Sequence, residues 1–227
     1  MKLRNKNLKI LKSNHVYSEE MEHDACGVGL VASTEGLKSR KVVEYGIDAL
    51  KAVWHRGAID ADGKTGDGAG IHIEIPKDFF EEKIEVTGHK HDNSELCVGM
   101  IFLPRNDYSA QEQCRTIVES ELTKRNFSIY GWRQVPVDPS VLGEKAEQTR
   151  PEITQVLFTY NDKKVVNKSL EQKLYETRRV IEKEALNNQL NNFYICSFSS
   201  KSIIYKGMFL AEALSDFYTD LKDERFI

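Results

Sequence analysis

The apolar positions of this chain fall into short blocks whose period switches between two and nearly four residues, and each switch marks the edge of an element. Residues 26–33, an apolar run opening on Cys26-Gly27-Val28-Gly29-Leu30-Val31, predict a strand. After Gly36, the residues Val43, Ile47, Leu50 and Trp54 recur on one helical face and predict a helix that ends at His55-Arg56-Gly57. A glycine-rich connection from Asp62 to Gly70 then feeds Ile71-His72-Ile73-Glu74-Ile75-Pro76, where alternation and β-branching predict a strand. That loop therefore joins a helix to a strand. A polar patch from Gly88 to Ser94 precedes a further strand over Leu96 to Leu103, which Pro104 stops.

Ser109 with Glu112 forms the pattern of a capping box, opening a helix that carries Ala110, Cys114, Ile117, Val118 and Leu122 on one side. Strands are expected over Ile129 to Val137 and Ile153 to Tyr160, with a connection from Pro139 to Arg150. A second box, Ser169 to Gln172, starts a helix whose buried side holds Leu170, Leu174, Ile181 and Ala185, and the turn from Asn187 to Asn192 ends it. A hairpin of Phe193 to Phe198 against Ile203 to Lys206 follows, then an amphipathic piece from Leu210 to Leu221. Without regular β-α-β alternation or an internal repeat, the order predicts an α+β fold: a mixed sheet with helices on its faces, compatible with two stacked sheets between helical layers.

Composition narrows the class. At 227 residues, with 40% apolar and 30% charged residues, the chain is long enough for one sizeable core and has no apolar stretch long enough for a membrane span. A formal charge of -3 gives no footprint for nucleic acid. Neither a membrane nor nucleic acid is an expected partner. Residues 1–25 carry five positive and four negative charges and lack the apolar core of a secretory signal, so they read as a propeptide or disordered leader whose removal takes the charge to -4. The four cysteines, at 26, 97, 114 and 196, are scattered and form no C-x-x-C pair, which fits a reducing cytoplasm and no zinc site. Cys97, Cys114 and Cys196 sit in apolar patterns and read as buried small hydrophobes.

Several motifs dissolve on inspection. Gly63-Lys64-Thr65 ends like a phosphate-binding loop, but the required upstream glycine position holds Ala58 and a strand, not a helix, follows. His89 and His91 supply too few ligands for a metal and read as a solvated turn. His55, at a helix end, is explained by the helix dipole.

Cys26 is different because it follows a removable leader. If the Ala25-Cys26 bond is cut, the freed α-amine, with a pKa of about 7.7 to 8.0, accepts the proton of its own thiol and no histidine is required. An uncut Cys26 has an amide nitrogen, which is no base, so the uncut chain is expected to be inactive.

Four runs, Asp24-Ala25-Cys26-Gly27-Val28-Gly29, His55-Arg56-Gly57-Ala58, Ala61 through Ile71 and Tyr205-Lys206-Gly207-Met208, resemble the amino-terminal glutaminase domain of the glutamate synthase large subunit, a class-II glutamine amidotransferase. The resemblance runs from about Asp24 onward and implies an N-terminal-nucleophile hydrolase fold, an αββα sandwich, in C-terminally incomplete form. It implies that Cys26 attacks the side-chain amide of L-glutamine, that Arg56 and Gly57 form the floor of the site, and that Asp67 and Gly68 belong to a loop shaping it. Arg56 would orient the cysteine region or favour anionic groups; a cap of its helix paired with a carboxylate explains it equally well.

The family's Asn-Gly oxyanion pair has no counterpart here, since no Asn-Gly dipeptide occurs in the chain. Losing one oxyanion donor costs about 100 to 1000-fold in rate, so the isolated chain is expected to turn over little glutamine and to associate through unpaired edges. It carries no cofactor of its own; FMN and an iron-sulfur cluster are implied for the complete enzyme, whose remaining domains are the implied partners. A catalytically silent fragment acting as a binding or assembly module is the alternative.

Overall fold

Two antiparallel sheets stacked face to face, with helices outside both, organise the chain. The computed structural model describes residues 27–53, 59–91 and 94–227, together with Lys6 and Ser13. In order, the main elements are α1 (Arg40–Ala52), β1 (Ala69–Glu74), α2 (Lys77–Val86), β2 (Leu96–Leu103), α3 (Tyr108–Lys124), β3 (Phe127–Gln134), α4 (Glu144–Thr149), β4 (Glu152–Tyr160), α5 (Asn167–Asn187), β5 (Tyr194–Ser199), β6 (Ser202–Gly207) and α6 (Leu214–Phe217). One sheet has the order β3-β4-β2-β5 and the other pairs β1 with β6.

Alternation along β2 and β4 separates two cores. Leu96, Val98, Met100, Ile153 and Leu157 face the two-stranded sheet and meet Ile203 and Tyr205 of β6, with Phe80 and Ile84 of α2 completing this core. Cys97, Ile101, Leu103, Val156 and Phe158 face the other way, onto Cys114, Val118 and Leu122 of α3 and Leu170, Leu174 and Ile181 of α5. Each such side chain, once buried, contributes about 1.5 to 3 kcal/mol. On the far side α1 packs on β1. The layers are therefore helix, sheet, sheet, helix, as expected. No described helix is long and apolar enough to cross a membrane.

The outer core is filled to contact. A Cβ built on Gly99 in β2 would lie 2.7 Å from both Phe198 Cδ2 and Val156 Cγ1. Gly99→Ala is expected to cost about 1 to 3 kcal/mol by overpacking, read as a lower denaturant midpoint; an unchanged midpoint would contradict this packing.

Between the sheets lies a closed polar network. Arg133 of β3 donates through two nitrogens to the Asp220 carboxylate at 2.6 and 2.7 Å and to Gln155 Oε1 at 2.7 Å. Gln155 Nε2 donates to the Tyr205 hydroxyl at 3.2 Å, and that hydroxyl donates to Asp220 Oδ2 at 3.3 Å. The network ties the four-stranded sheet, β6 and the C-terminal turn together.

Four expectations need correction. The described part of the run 26–33 forms no strand: residues 27–33 bond to no ladder, Val28 and Leu30 stay about nine-tenths exposed, and the segment shares a cavity with β1 instead. The expected hairpin splits, because β5 pairs with β2 and β6 pairs with β1, so Ser200 and Lys201 form a corner between sheets. A bulge in β5 lies opposite Met100 and Ile101, just before this corner. There Cys196 Sγ donates to Ile204 O at 3.5 Å and Ser197 Oγ accepts from Ile204 N at 3.2 Å, turning adjacent residues toward the second sheet. Glu171 of α5 then holds the corner through Ser199 Oγ, Ser200 N and Ser200 Oγ at 2.8 to 2.9 Å.

Neither capping box forms. α3 starts earlier, with Asp107 accepting from Ala110 N at 2.9 Å, which puts Ser109 inside the first turn and not at the cap. α5 starts after Val166, with Ser169 Oγ donating to Val166 O. The helix end at His55-Arg56-Gly57, and Trp54, lie outside the described residues.

Candidate active site

The segment that begins at Gly27 meets β1 at a cavity of about 640 Å³. Gly27 to Val31 form one side, Val42, Val43, Gly46 and Leu50 of α1 another, and Gly70 to Glu74 of β1 a third. α1 is placed there by its own sequence: Ser39 Oγ accepts from Lys41 N at its start, while Val43 and Ile47 are buried. Lys38 and Glu74 pair at the rim. The walls are mainly apolar, with Ser33, Ser39, His72 and that ion pair among the polar groups.

The glycine-rich connection is a closed, pinned turn. Ile59 and Gly66 form an antiparallel bridge, Asp60 N donates to Thr65 O at 2.9 Å and Gly63 N to Asp60 O at 2.9 Å. Inside it, Asp62 Oδ1 accepts from Lys64 N at 2.9 Å and Thr65 N at 2.7 Å, and Asp62 Oδ2 accepts from the Thr65 hydroxyl at 2.5 Å. Gly66 presses on the backbone of Phe209, where a Cβ would come within 2.8 Å of the carbonyl oxygen. Gly68, at φ +131°, occupies backbone space that favours glycine.

The Thr65 hydroxyl first, then the Thr65 and Lys64 amides, hold the Asp62 carboxyl down at about 2. Because this folded value is depressed below the ordinary carboxylate range, the turn gains stability that is complete above about pH 4 and is lost as pH falls toward 2. Amide exchange at Lys64 and Thr65 is expected to stay protected at pH 4 and to lose that protection toward pH 2. Loss already above pH 5 would contradict the arrangement.

Of the expected site residues, Cys26, Arg56 and Gly57 lie outside the described residues. Gly27, adjacent to Cys26, and Gly70, at the end of the glycine-rich run, are brought to one cavity. Asp67 and Gly68 are exposed just before β1 and are not among that cavity's walls. His91 is not a solvated turn residue: its side chain is buried, with Nδ1 at 3.1 Å from Glu81 Oε1 and its ring against Tyr130.

The other cysteines are unsuited to nucleophilic work. Cys97, Cys114 and Cys196 are free and buried, as expected. Burial pushes the thiols of Cys114 and Cys196 up to about 11 and that of Cys97 higher still, so none offers a thiolate near neutrality. Sequence reading passed over the Asp62-Thr65 pairing, although its Asp-x-x-Thr spacing is a local turn signal, and over Gly143, against which the turn rests.

Residues 26–227 match the family model of the class-II glutamine amidotransferases. The glutamate synthase [NADPH] large chain of Azospirillum brasilense is 56% identical over 220 residues, covering 97% of this chain and 14% of that protein. Ferredoxin-dependent glutamate synthase 2 of Synechocystis is 38% identical over 203 residues, covering 89% and 13%. The glutamate synthase [NADPH] large chain of Bacillus subtilis is 34% identical over 219 residues, covering 95% and 14%. This chain thus spans about a seventh of the length of these curated relatives.

Proposed function

The chain belongs to the class-II glutamine amidotransferases, and from that premise we propose that it serves in the glutaminase domain of a glutamate synthase. The observation that carries this reading is that the family match begins at Cys26, the residue whose freed amine the chemistry requires. Gly27 at the cavity wall supports it by placing the nucleophile's neighbour beside β1.

On this reading residues 1–25 are removed and Cys26 Sγ attacks the side-chain amide carbon of L-glutamine. The α-amine of Cys26 takes the thiol proton and delivers it to the departing nitrogen as the carbon-nitrogen bond breaks. Ammonia leaves, a γ-glutamyl thioester remains, and water releases glutamate. Two easier steps replace one difficult one. Arg56 and Gly57 floor the site, and Asp67 with Gly68 shape its edge.

The ammonia is destined for 2-oxoglutarate in the rest of the synthase, which is the partner of this domain and acts in the cytoplasm. FMN and an iron-sulfur cluster belong to those other parts. The donors here do not fit such a cluster: Cys97 and Cys114 lie in one core, Cys196 in the other, and all three thiols are held protonated by burial. The test is glutamine hydrolysis by the complete polypeptide that carries this domain. Equal amounts of glutamate and ammonia are expected, and release of neither would overturn the reading.

A further inference from the structure

The glycine-rich turn does not stand by itself; it is seated on the start of α4. Thr65 is 3% exposed, and its hydroxyl, already donating to Asp62, accepts from Ala146 N at 3.4 Å. Gly143, the residue before α4, leaves room for this: a Cβ there would collide with Asp62 Oδ2 and Thr65 Oγ1 and sit 2.6 Å from Thr65 N. Lys145 of α4 pairs with Asp60 on the same turn. The seat joins segments about eighty residues apart in sequence.

What this seat holds lies next to the cavity. The Ile59-Gly66 bridge fixes both ends of the turn: one end runs back within three residues to Arg56, and the other runs forward through Asp67 and Gly68 to Gly70 at the cavity wall. Asp67 and Gly68 are exposed, between Gly66, which is seated on the Phe209 backbone, and Ala69, which pairs with Gly207 in the β1–β6 ladder. The buried Thr65, next to Gly66, anchors the side of this pair that faces the turn.

We propose that Thr65, seated against Gly143 and locked by Asp62, is a positioning residue for glutamine hydrolysis: it holds the glycine-rich loop at the distance from the nucleophile segment that substrate binding requires. The inference rests on the glutaminase reading above. Thr65 acts through the loop and leaves the Cys26 thiol-amine pair untouched, which separates its effect from a general loss of structure.

Thr65→Val, Thr65→Ser and Gly143→Ala are compared with wild type in the complete polypeptide. The readouts are kcat and KM for glutamine and the rate of Cys26 alkylation by iodoacetamide at neutral pH. Thr65→Val and Gly143→Ala are expected to lower kcat/KM about 10 to 100-fold, mainly through KM, because a misplacement of about an ångström has that scale of effect. Alkylation of Cys26 stays within about twofold of wild type, and Thr65→Ser, which keeps the hydroxyl, recovers most of the activity. Hydrolysis by Thr65→Val at the wild-type rate, alkylation falling in step with hydrolysis, or no recovery with serine would each overturn the proposal. A wild type that releases no glutamate overturns the glutaminase reading and this inference with it, whereas an active wild type with an unaffected valine variant overturns this inference alone.

Discussion

Replacing Cys26 by serine in the complete polypeptide is expected to reduce glutamine hydrolysis about 10,000-fold or more, the scale seen when a covalent nucleophile is removed. The reason is the proton inventory of the group itself. A thiol with a pKa near 8.5 surrenders its proton readily to an amine whose own pKa is about 7.7 to 8.0, whereas a serine hydroxyl does not. No other described cysteine can substitute, because Cys97, Cys114 and Cys196 are buried and their thiols are pushed up. The check is glutamate release by the serine variant beside wild type, with matched unfolding midpoints to show both are folded. Activity within about tenfold of wild type would mean that another group performs the attack.

Asp220→Ala is expected to destabilise the chain by about 3 to 5 kcal/mol, the largest effect on stability of any single exchange considered. The Asp220 and Arg133 side chains are only 3% and 14% exposed, so deleting the carboxylate strands a guanidinium between the sheets. The change also removes the acceptor of the Tyr205 hydroxyl. A double exchange, Arg133→Met with Asp220→Leu, removes both charges and is expected to cost much less, since the penalty comes from the unpaired charge. Denaturant unfolding of the three proteins measures this. Equal losses in the single and double variants would contradict an uncompensated charge as the cause.

The features readable from the sequence were those whose cause is local or periodic. The apolar run of Leu96 to Leu103 named a strand, and the spacing of Leu170, Leu174, Ile181 and Ala185 named a core face, and the structure buries both. The layer order came from the resemblance, because the periodicity was compatible with two stacked sheets between helical layers and did not select them. What escaped depends on distant partners. α2 carries adjacent Phe79 and Phe80 behind Pro76, a pattern without clear helical spacing, and both rings are buried only because the core between the sheets receives them. α4 and the short 3-10 turn Pro139–Val141 were hidden in a stretch read as connection.

The split of the expected hairpin is accompanied by one extra residue, Cys196, opposite Met100 and Ile101, and a bulge has no periodic signature. At the site, Cys26, Arg56 and Gly57 stand as proposals from the resemblance, with the chemistry of a freed amine behind Cys26 alone. Gly143 was not legible, since its importance is the space it leaves for Asp62 and Thr65. The strand expected over residues 26–33 failed for the same kind of reason: apolar content offers a ladder, but a neighbouring strand must accept it.

The most direct test is a mass spectrum of the active, glutamine-hydrolysing polypeptide quenched in acid during turnover and digested. The account predicts a peptide that starts at Cys26 with a free α-amine, a fraction of it carrying a γ-glutamyl group on sulfur. An active enzyme in which the Ala25-Cys26 bond is intact would contradict it.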